Sequence, residues 1–262
     1  MEEGLANELK TALSTTQAAV RADWEARLQK FVAEADLPPG SVDVEVRIGH
    51  PFIEIAEACS VHRTDLLVMG VKGTGGDGHR VGVIAAKCVR KAPVDVLLVN
   101  ENSAGAFQRI VTCVDFSEHS AHAVRVAAHF AMQDNASLDC LHVYQSALAL
   151  SLDYGGVATP LPVGADVKTL QTWSQDLEEF VTPLLGDAAA TVPVTCDVME
   201  RVNIREAIVD HVKERGADLV VLSTRGKTGL RELLIGTTAE KVVANAPCSI
   251  LAVKPVDFAV QS

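Results

Sequence analysis

A chain of 262 residues with 48% hydrophobic side chains holds enough apolar material for one large core or two of ordinary size, which excludes a largely disordered protein. The formal charge of -11, from 34 acidic against 23 basic groups, repels phosphate backbones and makes nucleic acid a poor partner. A small phosphate-bearing ligand held locally by backbone N–H groups is still allowed.

In chain order, Leu5 to Glu34 has helical character and is broken at Pro38-Pro39-Gly40. A strand from Val42 to Ile48, a helix from Phe52 to Val61 and a strand from Asp65 to Met69 follow. A helix from Gly82 to Lys91 and a strand from Val94 to Val99 end this series. After a linker at 102–108, Arg109 to Val114 reads as a buried strand ending at Asp115, and Ser117 as the N-cap of a helix from Glu118 to Met132. Leu138 to Val143 is a strand; residues 145–166, rich in Gly, Pro and Ala, form a loop; Val167 to Leu185 is helical; Thr191 to Met199 is a strand. Asn203 caps a helix from Ile204 to Arg215, which Gly216 stops. Strand Asp218 to Ser223, a largely helical Glu232 to Asn245 and strand Ser249 to Lys254 complete the chain.

The chain repeats itself. Asp65, Leu66, Val68 and Gly73 fall opposite Asp218, Leu219, Val221 and Gly226; Gly82, Ala85, Ala92 and Pro93 fall opposite Gly236, Ala239, Ala246 and Pro247. Between the two blocks the offset slips by one residue, so the loop is shorter in the first copy. The first copy also has no counterpart of Arg109 to Val143, so its first strand, first helix and second strand are missing. Alternating strands and helices predict parallel sheets covered on both faces. Ligands in such sheets bind beyond the carboxyl ends of strands, where Asp115, Val143 and Ser223 stand.

Six cysteines without a C-x-x-C pair, several inside apolar runs, read as buried thiols of a reducing compartment. The acidic N-terminus has no apolar signal region, and runs such as Leu66 to Val71 are too short to span a bilayer, so the expected location is the cytoplasm, away from membranes.

One loop carries chemistry. Gly226 and Gly229 allow backbone to approach an anion closely, and Gly236, Thr237 and Thr238 set N–H groups and hydroxyls at the start of a helix, where orphan donors and the helix dipole favour phosphate. Arg225 and Lys227 add positive charge, or form only a solvated loop face.

The run Ile110-Val-Thr-Cys-Val-Asp-Phe-Ser with its strand-end aspartate resembles the opening of universal stress protein domains. The tail resembles that family's G-x2-G-x9-G-[ST] loop, followed by a helix, an Ala-Pro pair and an apolar last strand. The resemblance covers the second half and the later part of the first. It implies two tandem Rossmann-like open parallel sheets of the adenine nucleotide alpha hydrolase-like type, the first lacking its first two strands. The domains are then a degenerate copy at 1–101 and a complete copy at 109–256. It further implies ATP or a related adenine nucleotide, with magnesium as a companion ion, bound by the second copy through Asp115, Val143, Ser223, Gly226, Gly229, Gly236, Thr237 and Thr238. Ser223 departs from the pattern, which has glycine there. The first copy has Val83 where the loop wants a hydroxyl, and reads as a non-binding partner in an intramolecular pseudo-dimer; a homodimer is a further expectation.

Three functions stand open at this level: a nucleotide-responsive interaction module, a slow ATPase or phosphotransferase, and a module with an empty pocket. No Walker pattern or metal-binding carboxylate pair is evident, so any turnover is expected to be slow. His119 and His122, one helical turn apart, lack a third ligand and read as surface residues. Trp24 and Trp173 read as core anchors of corresponding helices, and His142 as a packed residue.

Overall fold

Among the described residues seven strands form a single open sheet: β1 (Leu66–Gly70), β2 (Asp95–Val99), β3 (Arg109–Cys113), β4 (Ser137–Tyr144), β5 (Val194–Glu200), β6 (Leu219–Ser223) and β7 (Ser249–Val253). Their spatial order is β1-β2-β7-β6-β3-β4-β5. The computed structural model describes residues 2–35, 37–72, 81–103, 105–145, 170–226 and 236–255. Most of the expected loop at 145–166, together with Lys227, Gly229 and residues 232–235, lies outside them. The helices are α1 (Glu2–Glu34), α2 (Pro51–Val61), α3 (Val83–Lys91), α4 (Glu118–Asp134), α5 (Leu170–Val181), α6 (Ile204–Glu214) and α7 (Thr237–Asn245).

The α/β class expected from the alternation holds. Within the second repeat every strand pair is parallel, and so is β1 with β2. The two sheets are continuous: β2 and β7, the last strands of the two copies, pair antiparallel, with Leu97 opposite Leu251. Burial explains the strands' apolar runs. Ile110, Leu138, Leu219, Ile250 and Leu251 are almost wholly buried, each contributing on the order of 1.5–3 kcal/mol.

At the seam between the copies, the Lys254 backbone N–H donates to Asp95 Oδ1 at 2.7 Å and its Nζ donates to the Val89 carbonyl at 2.5 Å. Burial pushes the Lys254 ammonium down to about 8, against the pull of Asp95, and pushes the Asp95 carboxyl up.

Caps fall where the sequence puts them. Ser117 and Ser120 form a reciprocal capping box on α4, and Asn203 Oδ1 accepts from the N–H groups of Arg205 and Glu206 at the start of α6. Gly216, at φ +58, turns the chain out of α6, and its carbonyl accepts from Arg109 Nε at 2.8 Å. Asn203→Ala is expected to cost about 1 kcal/mol of unfolding free energy, read as a lower urea midpoint at unchanged slope.

The chain groups into two units, Met1–Ala58 and Cys59–Ser262, and the sheet lies in the second. Two expectations for the first unit fail. Residues 42–48 form no strand. In the second repeat the equivalent strand, β5, is held by β4, and among the described residues no strand precedes β1 to complete such a ladder. Trp24 is no core anchor, being 51% exposed with Arg27 stacked over its ring at 5.1 Å. Trp24 lies on one helix face with Val20, Leu28 and Phe31, at helical spacing, and all four are exposed.

Candidate functional site

The carboxyl ends of β3, β4 and β6 meet the start of α7 around a cavity of about 330 Å³, in the range of small-ligand sites. Asp115, Val143, Ser223, Gly226, Gly236 and Thr238 all line it. Thr237 opens α7, and its side chain, like the whole of Gly229, lies outside the described residues.

Asp115 is aimed by the turn that follows β3. Its Oδ1 accepts from both the N–H and the hydroxyl of Ser117, at 3.1 and 2.5 Å. Between them Phe116 takes a left-handed backbone at φ 61, uncommon for a bulky residue and costing of order 1 kcal/mol or more. Ring contacts hold it there: His142 at 4.6 Å, Phe180 at 5.3 Å and Trp173 at 5.7 Å between centroids. His142 is packed as expected, with Nδ1 against the Val114 carbonyl at 2.8 Å.

Across the cavity, the backbone at Gly226 comes so near Asp115 that an added Cβ would stand 2.6 Å from Oδ2. A side chain at 226 would force the carboxylate or the backbone to shift. Ser223 explains its own departure from the family pattern, since its hydroxyl accepts from the Arg225 N–H at 3.2 Å and stabilises the turn after β6. Thr224 then ties three elements together. Its N–H and hydroxyl donate to the Val253 carbonyl, and its own carbonyl accepts from the Gly236 N–H at 3.1 Å, fixing the start of α7 over the end of β6.

The first copy reproduces this frame. Val71 N–H donates to the Val99 carbonyl and Gly82 N–H to the Val71 carbonyl, and Gly82 (φ -59, ψ 146) matches Gly236 (φ -56, ψ 142). What differs is chemistry. Val83, 82% exposed, replaces Thr237, and among the described residues no strand precedes β1 to carry an aspartate.

The cavity's other walls were not legible beforehand. Ile204 and Ile208 of α6 line it, and nothing in their spacing separates a pocket wall from ordinary core. Cys113 also lines it, and burial, then the charges of Asp139 and Asp115, pushes its thiol up to about 12. That thiol is a neutral surface and not a nucleophile.

A second polar group, also unforeseen, joins the sheet to α6. Asp139 Oδ2 lies 2.7 Å from His211 Nε2 and 3.3 Å from Arg215 Nε, and Arg215 also bonds Asp197. The carboxylates and the imidazole are close enough to share a metal, but Arg215 already supplies the positive charge a metal would bring. The group therefore serves as an ion-pair network packing α6 against β4 and β5.

An open parallel sheet with a cavity where strand order reverses, floored by a strand-end aspartate and bordered by Gly226 and Gly236, defines a Rossmann-like ligand-binding class. The sequence profile of the universal stress protein family matches residues 2–100 and 106–254, and the chain belongs to that family. It is 26% identical over 149 residues to universal stress protein YxiE of Bacillus subtilis, covering 56% of this chain and 99% of that one. In fold it is similar to the functionally unknown protein PA1789 of Pseudomonas aeruginosa PAO1, with a TM-score of 0.60 and 19% identity over 92% of this chain and 79% of that one. A universal stress protein of Archaeoglobus fulgidus solved in complex with dAMP matches 57% of this chain and 100% of its own, at 19% identity and a TM-score of 0.40. Among the described residues no helix is long and apolar enough to cross a membrane.

Proposed function

We propose that the second repeat binds an adenine nucleotide, ATP or a close relative, and that the protein acts in the cytoplasm as a nucleotide-responsive interaction module of the stress response. The observation that supports this reading is the close approach of the Gly226 backbone to Asp115, where a Cβ would stand 2.6 Å from Oδ2, beside a carboxylate held by Ser117. In the proposed pose Asp115 accepts from ribose hydroxyls, the end of β4 at Val143 borders the base, and the backbone at Gly226 and Gly236 with the first turn of α7 donates to phosphates. Among the described lining residues Asp115 is the one carboxylate, so a magnesium ion would be held chiefly by the phosphates themselves.

The first repeat shares the backbone frame but lacks the aspartate and the hydroxyl, so one nucleotide per chain is expected. Isothermal titration of ATP into the purified, nucleotide-stripped protein tests this. A Cβ added at Gly236 meets no heavy atom within 4 Å, and the backbone there suits any residue, so Gly236→Val should fold normally and lose binding. Gly82→Val, at the matching position of the first repeat, should bind as the parent does. Two equivalent sites, or equal loss from both variants, would sink the single-site reading. A turnover assay on the same preparation separates binding from hydrolysis.

A further inference from the structure

We propose that Cys140 and Cys196 form a dithiol pair that a hydroperoxide converts to a disulfide, making β4–β5 a redox modification site separate from the nucleotide cavity. The two residues are direct partners in the parallel ladder of β4 and β5. Neighbouring strands lie about 4.7–4.9 Å apart, inside the Cα separation that a disulfide spans. Asp139 and Asp197, the neighbours of these cysteines in each strand, meet His211 on one face of the sheet. By strand alternation both thiols point to the other face, toward the core that includes Leu177 and Val181 of α5.

The pair is chemically asymmetric. Cys140 is fully buried, while Cys196 is partly exposed at the last strand of that side of the sheet. The Cys140 S–H donates to Cys196, which holds the Cys196 thiol below its usual range against burial and the nearby Glu178 and Asp139, and keeps the Cys140 thiol protonated well above it. Cys196 is thus both the reachable sulfur and the one more readily ionised. The thiolate of Cys196 attacks the distal oxygen of the hydroperoxide; the O–O bond breaks, an alcohol or water leaves, and Cys196 becomes a sulfenic acid. Cys140 sulfur then attacks Cys196 sulfur, the S–O bond breaks, the hydroxyl leaves as water with the thiol proton, and the disulfide closes. Two electrons pass from the thiols to the hydroperoxide.

The test is hydrogen peroxide added to the reduced, folded full-length protein, followed by alkylation in denaturant, trypsin and mass spectrometry. Cys140 and Cys196 are the sole cysteines of the tryptic segments 126–168 and 169–201, so one linked pair identifies the bond. The expected product is two hydrogens lighter, carries that link, and reverts with a dithiol reductant. Cys140→Ala, or Cys140→Ser should the first fold poorly, leaves Cys196 as a sulfenic acid trapped by dimedone. Cys196→Ser prevents oxidation of Cys140. The proposal is overturned if both cysteines remain fully alkylated after peroxide, if either pairs with another cysteine, or if the link forms only in denaturant.

Discussion

Replacing Gly226 with alanine is expected to weaken ATP binding roughly a hundredfold, about 3 kcal/mol, while leaving the fold intact. The new Cβ would stand 2.6 Å from Asp115 Oδ2, closer than packing allows. Asp115 cannot simply swing away, because its other oxygen is held by both the N–H and the hydroxyl of Ser117. Either the carboxylate leaves the position proposed for the ribose, or the loop backs out of reach of the phosphates; each loses charge-assisted hydrogen bonds worth about 1.5–3 kcal/mol apiece. Gly70→Ala is the control, since its Cβ would meet nothing nearer than 3.4 Å. Titration calorimetry reads the affinities and a thermal melt the fold. An alanine variant that binds within threefold of the parent would remove Gly226 from the site.

Alkaline titration of stability is expected to expose Lys254. The folded state releases this proton near pH 8, whereas an unfolded lysine keeps it to about 10.5. Between those values the unfolded chain binds more protons, so Lys254 makes folding more favourable as pH rises, by about 3 kcal/mol in full. Below pH 8 the whole cost of burying its charge is carried. Cys113 and Cys248 act in the opposite sense, because burial pushes both up to about 12 and their unfolded thiols ionise near 9. Comparison with Lys254→Met cancels the thiols. Urea denaturation from pH 7 to 10.5 should show the parent gaining about 3 kcal/mol on the variant across that window. Parallel curves would mean that Lys254 keeps an ordinary affinity for its proton.

Much of the second repeat was legible because its signals are local. Ser117 and Asn203 mark helix starts by their own hydrogen bonds, Gly216 marks an end by its backbone, and the runs around Ile110, Leu138 and Leu219 are apolar because both faces of their strands are covered. The convergence of Asp115 and Gly226 was legible only through resemblance to a known family, since residues more than a hundred positions apart carry no local sign of contact. Non-local facts escaped. Whether 42–48 forms a strand depends on a partner strand, and among the described residues none precedes β1. The meeting of Cys140 with Cys196, and of Asp139 with His211, depends on strand register and on which helix covers which face. Ser223 seemed a defect in the loop pattern until its hydroxyl was found to stabilise the next turn.

The antiparallel seam of β2 with β7 has a geometric consequence. Strands of the first repeat run opposite to those of the second, so their carboxyl ends emerge on opposite rims of the same sheet. One rim carries the cavity; the other carries the Gly82 frame without its aspartate. The molecule is therefore polar across its sheet, with a ligand-type rim and a blank rim joined by hydrogen bonds between Leu97, Leu98 and their partners in β7. The helices of the two repeats are also linked directly, Arg90 of α3 lying 3.7 Å from Glu240 of α7, and Lys254 extends from the end of β7 to the Val89 carbonyl near the end of α3.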